Sequence, residues 1–225
     1  MADQRAPTGP VGPIDIRSEL RKVERMPRWG RVQGNAWDRA SRFIYQVDDL
    51  DTLRRETKCT AARMNLPLWD FGCYVIRRWY NFHTHQVALD IILEHARTRS
   101  ESDSFHHTID FYLDDESFDL KLTGLPRGFG RALAYARAHP AELAHWLYAN
   151  QSKQGRFHAA NRLFVVLHDA VDPARTWELR RDFDRLEQTL HAFLDRPDPV
   201  RVEFTDEHGK RHQPLAGVVF CTRET

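Results

Sequence analysis

Apolar residues recur along the chain with two different periods, and the switches between them set the expected order of elements. Over residues 79–97, Phe82, Leu89, Ile92 and Leu93 form a partly apolar stripe at helical spacing. The polar stretch 98–104 ends that helix. Residues 107–113 and 118–123 then alternate with the period of two expected of half-buried strands, joined through Asp114-Asp115-Glu116-Ser117 and closed by Gly124, Pro126 and Gly128. Helical sequence returns over 129–150, with a break expected at Pro140. Leu163-Phe164-Val165-Val166-Leu167 is continuously apolar, as in a strand covered on both faces in a parallel part of a sheet. Pro173 opens a further helix with the stripe Leu179, Phe183, Leu186, Leu190, Phe193 and Leu194. A hairpin over 200–204 and 215–221, turning at His208-Gly209-Lys210, ends the pattern.

The order helix, two strands, helix, buried strand, helix, two strands describes an α/β fold, a three-layer mixed-sheet sandwich. Residues 14–78, punctuated by Pro27, Gly30, Gly34 and Pro67, read as a mostly helical and irregular N-terminal extension packed on a core at 79–225. Residues 1–13, rich in Pro and Gly, read as a disordered tail and lack the apolar core of a secretory signal.

Alternation in the first hairpin decides which side chains share a face. Matching the apolar sides places Leu113 opposite Phe118, Phe111 opposite Leu120 and Ile109 opposite Leu122. The polar side then sets Asp110 opposite Lys121 and Tyr112 opposite Asp119, with Asp110 and Asp119 a diagonal pair about 7–8 Å apart. Two carboxylates held that close repel each other, and a divalent cation relieves the cost. Mg²⁺, for which Mn²⁺ can substitute, takes oxygen ligands and often uses only one or two carboxylates. Such an ion lowers the pKa of bound water, and Lys121 beside it suits orienting that water and steadying phosphate oxygens.

Composition narrows the setting. The formal charge of +1 carries no global signal for nucleic acid, although a local basic groove remains compatible with it. Three cysteines, Cys59, Cys73 and Cys221, lack metal-ligand spacing and fit a reducing, cytoplasmic compartment. No run approaches the roughly 18 apolar residues of a membrane span. His83 and His85, two apart on one helix, cannot share a metal, so a zinc site with His106 and His107 is disfavoured. The densest basic run, Arg17 to Arg31, is interrupted by Glu19 and Glu24 and reads as a solvated helix; Trp37 reads as buried packing.

Ile109-Asp110, eight intervening residues and Asp119-Leu120-Lys121 together resemble the PD-(D/E)xK motif of the restriction-endonuclease-like superfamily, with Ile109 where that motif has Pro. The likeness spans residues 79–168. It implies that superfamily's fold, with Asp110, Asp119 and Lys121 catalytic, and a metal-dependent phosphodiesterase acting as an endonuclease on DNA, possible as a homodimer. The family often draws another acidic ligand from the helix before the hairpin. Asp90 is favoured here and Glu94, one turn on, is the alternate, so Asp110, Asp119 and Asp90 form the expected metal set. Gln154 and Arg156, in the polar run 150–156, with Arg127 and Arg131, are candidate contacts to nucleic acid. The rival readings are an RNA nuclease and a catalytically silent nucleic-acid- or protein-binding module on the same fold.

Overall fold

A computed structural model describes residues 14–27, 35–101, 109–151, 159–205 and 209–224. The expected tail at 1–13 lies outside them. The chain divides into two compact units, Met1–His83 and Thr84–Thr225.

The first unit is helical: α1 (Ile16–Arg21), α2 (Ala36–Ala40), a 3-10 turn at Arg42–Tyr45, α3 (Leu50–Arg63) and the start of α4 (Leu68–Leu93). Its short helices begin at side-chain caps, which supply partners for orphan backbone donors. Asp49 accepts the Thr52 N–H ahead of α3, and Asn35 with Asp38 forms a capping box on α2. Trp37 is buried as expected, edge-on to Phe71 at 5.5 Å and to Tyr74 at 5.6 Å. The Val47 carbonyl accepts from both Trp79 Nε1 (2.6 Å) and His83 Nε2 (3.0 Å). Helix α4 is longer than the apolar stripe suggests, starting eleven residues before Trp79 and running through it.

The second unit is mixed α/β. Six strands, β1 (Thr98–Ser100), β2 (Phe111–Leu113), β3 (Glu116–Gly124), β4 (Arg162–Asp169), β5 (Val200–Arg201) and β8 (Leu215–Arg223), form one sheet in the order β1-β2-β3-β4-β8-β5. β1, β2 and β3 are antiparallel neighbours, whereas β4 runs parallel to both β3 and β8. The apolar run 163–167 thus lies buried inside the parallel part, as its lack of alternation predicts. β6 (Phe204–Thr205) and β7 (Arg211–His212) continue the β5–β8 hairpin as a two-stranded ribbon of the same register.

Helices cover both faces. On one, Leu143, Ala144 and Leu147 of α6 (Pro140–Gln151) and Ala136 of α5 (Leu133–Ala138) share a buried cluster with Phe164, Val166 and Ala216. On the other, α7 (Phe183–Asp195) lies so near β8 that a Cβ at Gly217 would come 2.7 Å from Phe193 Cζ and 2.8 Å from Leu163 Cδ1. The end of α4 joins α7 in that layer through the His191 ring at the Ile91 carbonyl, 3.2 Å. The break expected at Pro140 occurs between α5 and α6.

Two expectations are corrected. The polar stretch after α4 contains β1, a three-residue edge strand whose Arg99 guanidinium stacks 3.7 Å over the Tyr112 ring. An edge this short needs no apolar alternation, so no pattern announces it. The helix expected from Pro173 is two elements, a 3-10 stretch Pro173–Arg181 and then α7, divided at Asp182. Leu179 and Phe183 are buried on either side of the break, which is why the stripe looks continuous in sequence.

Candidate active site

The β2–β3 hairpin turns through two residues, Asp114 and Asp115, with Asp114 in the left-handed region at φ 52°. Asp is among the residues that tolerate this conformation, and here its carboxylate also takes Arg97 Nη2 at 2.6 Å. The tight turn pairs Leu113 with Glu116, Tyr112 with Ser117 and Phe111 with Phe118. The register deduced from apolar matching is therefore wrong by two residues. Because the slip is even, every side chain keeps its face: Phe111, Leu113, Phe118, Leu120 and Leu122 are all buried. Apolar matching cannot distinguish registers two apart, and turn length decides between them.

The slip changes who meets whom. Tyr112 faces Ser117 and not Asp119, and Asp110 is not opposite Lys121. Beyond the ladder the Asp110 N–H donates to the Phe118 carbonyl at 2.9 Å, and the Asp110 carboxylate accepts the Leu120 N–H at 2.7 Å. Asp110 thus closes the end of the hairpin with its own side chain.

On β3, Asp119 and Lys121 alternate with the buried Leu120 and Leu122, so both lie on the sheet face that carries Arg162 and Phe164 of β4. Parallel pairing sets Asp119 directly beside Arg162. Asp119 Oδ1 takes the Lys121 ammonium, and Oδ2 takes Arg162 Nε at 3.2 Å. Arg162 in turn lies 4.9 Å over the Tyr148 ring of α6, and the Tyr148 hydroxyl donates to the Ala160 carbonyl at 2.8 Å.

Helix α4 contributes His85. Its Nε2 donates to the Leu120 carbonyl at 3.1 Å and stands 3.6 Å from Asp110 Oδ2. His85, Asp110, Asp119 and Lys121 thus gather around one β3 residue, Leu120, whose N–H and C=O are both taken by side chains of the group.

Electrostatics separates the two carboxylates. Burial pushes the Asp119 carboxyl above the usual range, and the charge of Asp110 adds to this, while Lys121 and Arg162 hold it down. Burial acts on Asp110 in the same sense but is outweighed by the His85 imidazole, the Leu120 N–H and Lys121, so Asp110 lies below the usual range. The two carboxylates are thus pushed in opposite directions.

The expected residues fall into three groups. Asp110, Asp119 and Lys121 are brought together. Asp90 and Glu94 are exposed, and five residues of helix put Asp90 about 140° around the axis from His85. Among the described residues no three His, Cys, Asp or Glu side chains form a ready-made metal cage. Arg127 and Arg131 are exposed beyond the end of β3, with Arg131 5.1 Å over the Tyr135 ring. Gln154 and Arg156 lie outside the described residues.

Sequence reasoning missed His85 and Arg162. His85 could have been found by asking which helix position falls between buried neighbours: His83, Thr84, Val87 and Ala88 are buried, and His85 sits at the margin of that stripe. Arg162 left a plainer sign, a charged residue immediately before five apolar ones, but its partner depended on a parallel register that no local pattern encodes.

His83 and His85 face different partners, Val47 and Leu120, as their spacing requires. All three cysteines are free thiols. No helix among the described residues is long and apolar enough to cross a membrane. No protein-family model, curated protein or solved structure matched the chain.

Proposed function

We propose that this chain is a metal-dependent nuclease of the restriction-endonuclease-like type that hydrolyses phosphodiester bonds, with DNA as substrate. The observation that carries the reading is the convergence of Asp110, Asp119, Lys121 and His85 about Leu120, with the two carboxylates close enough for one to raise the other's pKa.

The donors fit a divalent cation. Asp110, Asp119 and the Leu120 carbonyl supply hard oxygen, and Mg²⁺ sites commonly use one or two carboxylates together with water and substrate phosphate. His85 Nε2, on giving up the proton it shares with the Leu120 carbonyl, would add a nitrogen that Mn²⁺ accepts more readily than Mg²⁺ does. An ion held there would supply a nucleophilic water at neutral pH and offset charge building on the phosphate. Lys121 is placed beside Asp119 to hold the water's orientation and to donate to a non-bridging phosphate oxygen. Arg162, nearly buried, keeps one Asp119 oxygen fixed so that the other faces Lys121 and the site.

One feature favours the rival, a silent module that binds nucleic acid without cutting it: both oxygens of Asp119 are already engaged by cations. The two readings separate on cleavage. Purified protein is incubated with DNA and RNA, single- and double-stranded, with Mg²⁺, Mn²⁺ or EDTA, beside Lys121→Ala. The nuclease reading expects metal-dependent cutting reduced at least a hundredfold in the variant. Equal cutting by both proteins, or none with either metal, would remove it.

A further inference from the structure

On the face of the sheet covered by α6, which also carries Asp119 and Lys121, a groove of about 630 Å³ runs between α6, the loop after β3 and β5. We infer that this groove is a stacking platform for a single nucleic-acid strand. The inference rests on the nuclease reading for its substrate class and on different residues for its evidence.

Two half-buried aromatic rings, Phe129 and Trp146, form the groove's apolar wall with centroids 6.3 Å apart. Gly128 brings its backbone flat against the indole: a Cβ there would stand 2.9 Å from Trp146 Cζ2. The ring is thereby held from one side by the chain and from below by the core it packs on. Asn150, one turn along α6, donates to the Trp146 carbonyl at 2.9 Å and lines the same groove.

The groove wall carries two arginines and two carboxylates, and Arg211 outside it offsets one of the carboxylates, Glu203. Arg131 and Arg201 line it, and among the described residues neither has a carboxylate partner; Arg201 meets only the Gln213 carbonyl, 3.2 Å. Of the two acids on the wall, Glu203 is paired with a cation among the described residues and Glu142 keeps its charge. Glu142 accepts the Tyr135 hydroxyl at 2.9 Å, and Glu203 is held by Arg211 at 3.4 Å and by Gln213. Arg127, exposed in the 3-10 turn that presents Phe129, also has no ion pair among the described residues.

Rings flanked by unpaired arginines are what a sequence-tolerant single-strand site needs: π faces for successive bases and cations for the phosphates between them. A duplex keeps its base faces stacked inside and could use only the cations. The occupant is therefore a single strand, reached as a free strand, an overhang or a splayed end.

The test uses the full chain with EDTA, so that cleavage plays no part. Anisotropy of a labelled 15-nucleotide oligothymidylate is compared with that of a 15-base-pair duplex. The strand should bind more tightly than the duplex. Trp146→Ala should weaken strand binding at least fivefold and Trp146→Phe, which keeps a ring, much less. Arg201→Gln should flatten the dependence of log affinity on log salt by about 0.7. Matching near-ultraviolet spectra and melting points of the variants guard against misfolding. Duplex binding equal to or tighter than strand binding, or Trp146→Ala and Trp146→Phe both binding as the parent does, overturns the inference. The parent protein keeps the readings apart when it is read for strand binding in EDTA and for cleavage in Mg²⁺. Cleavage of DNA without strand preference would leave the nuclease and remove the platform; strand preference without cleavage would do the opposite.

Discussion

Arg162 and Asp119 stand side by side on adjacent parallel strands, Nε to Oδ2 at 3.2 Å, with side chains only 7% and 14% exposed. Desolvating two charges costs free energy that their attraction offsets only while both are present. Lys121 shares the carboxylate, so removing the guanidinium leaves Asp119 partly compensated. Arg162→Met is therefore expected to lower unfolding free energy by about 3 kcal/mol, near the lower end for a broken buried pair. Arg162→Met combined with Asp119→Leu should recover most of it. Urea denaturation of the parent, both single variants and the double variant tests this; strict additivity would show that the pair is not coupled.

The titrations of Asp110 and Asp119 should move in predictable directions. Asp110 raises Asp119, so Asp110→Asn should bring the Asp119 midpoint down, while Arg162→Met, which removes a charge holding it down, should push it up. The stability consequences oppose each other. Asp119, raised, loses the fold stability as pH climbs from its unfolded value of about 4 through its folded one. Asp110, lowered, contributes stability above about 4 that disappears as pH falls through its folded value. Carboxyl ¹³C shifts of labelled aspartate read each site; an Asp119 midpoint indifferent to Asp110→Asn would separate the two carboxylates.

His83 carries a pH dependence of another kind. Burial beside Trp79 lowers its pKa, because the protonated ring would lose solvation there, and this outweighs the Asp48 charge and the Val47 carbonyl, which favour the protonated ring. The neutral ring is the folded form, so its contribution is fully present above about 6.5 and is lost as pH falls below that value. The limiting slope for one proton is about 1.4 kcal/mol per pH unit. Parent protein should lose more unfolding free energy between pH 7.5 and pH 5 than His83→Gln, which cannot take up the proton. Parallel curves in urea would assign the acid sensitivity elsewhere.

How far the sequence could be read depended on the range of the interaction involved. Burial of the run 163–167 in a parallel sheet and the helix break at Pro140 follow from local chemistry and stand as read. Faces in the first hairpin were legible too, since period-two alternation alone sets them. Register was not: Phe111 meets Phe118 instead of Leu120, because turn length breaks a tie that apolar matching leaves open. The candidate site divides the same way. Asp110, Asp119 and Lys121 were visible as a local motif, whereas His85 and Arg162 reach it from 35 and 43 residues away along the chain, through a helix face and a parallel register. Asp90, the acid expected from α4, is exposed and lies about 140° around the helix axis from His85.

The α4 side chain beside Asp110 is His85, and its chemistry makes the last prediction, which concerns metal preference. A nitrogen donor among oxygens favours Mn²⁺ over Mg²⁺, because Mn²⁺ is the softer ion and accepts imidazole where Mg²⁺ holds to oxygen. Under the nuclease reading the parent should therefore bind Mn²⁺ more tightly than Mg²⁺, and His85→Ala should lose at least tenfold in Mn²⁺ affinity with a smaller change for Mg²⁺. His85→Asp, which makes the donor set all oxygen, should move the preference back toward Mg²⁺. Calorimetric titration of each ion, with electron paramagnetic resonance of free Mn²⁺ as a second readout, measures binding without requiring turnover. Equal losses for both ions in His85→Ala would mean that His85 acts through the Leu120 carbonyl it holds, 3.1 Å away, and not on the metal itself. Undiminished binding of both ions would remove His85 from the site altogether.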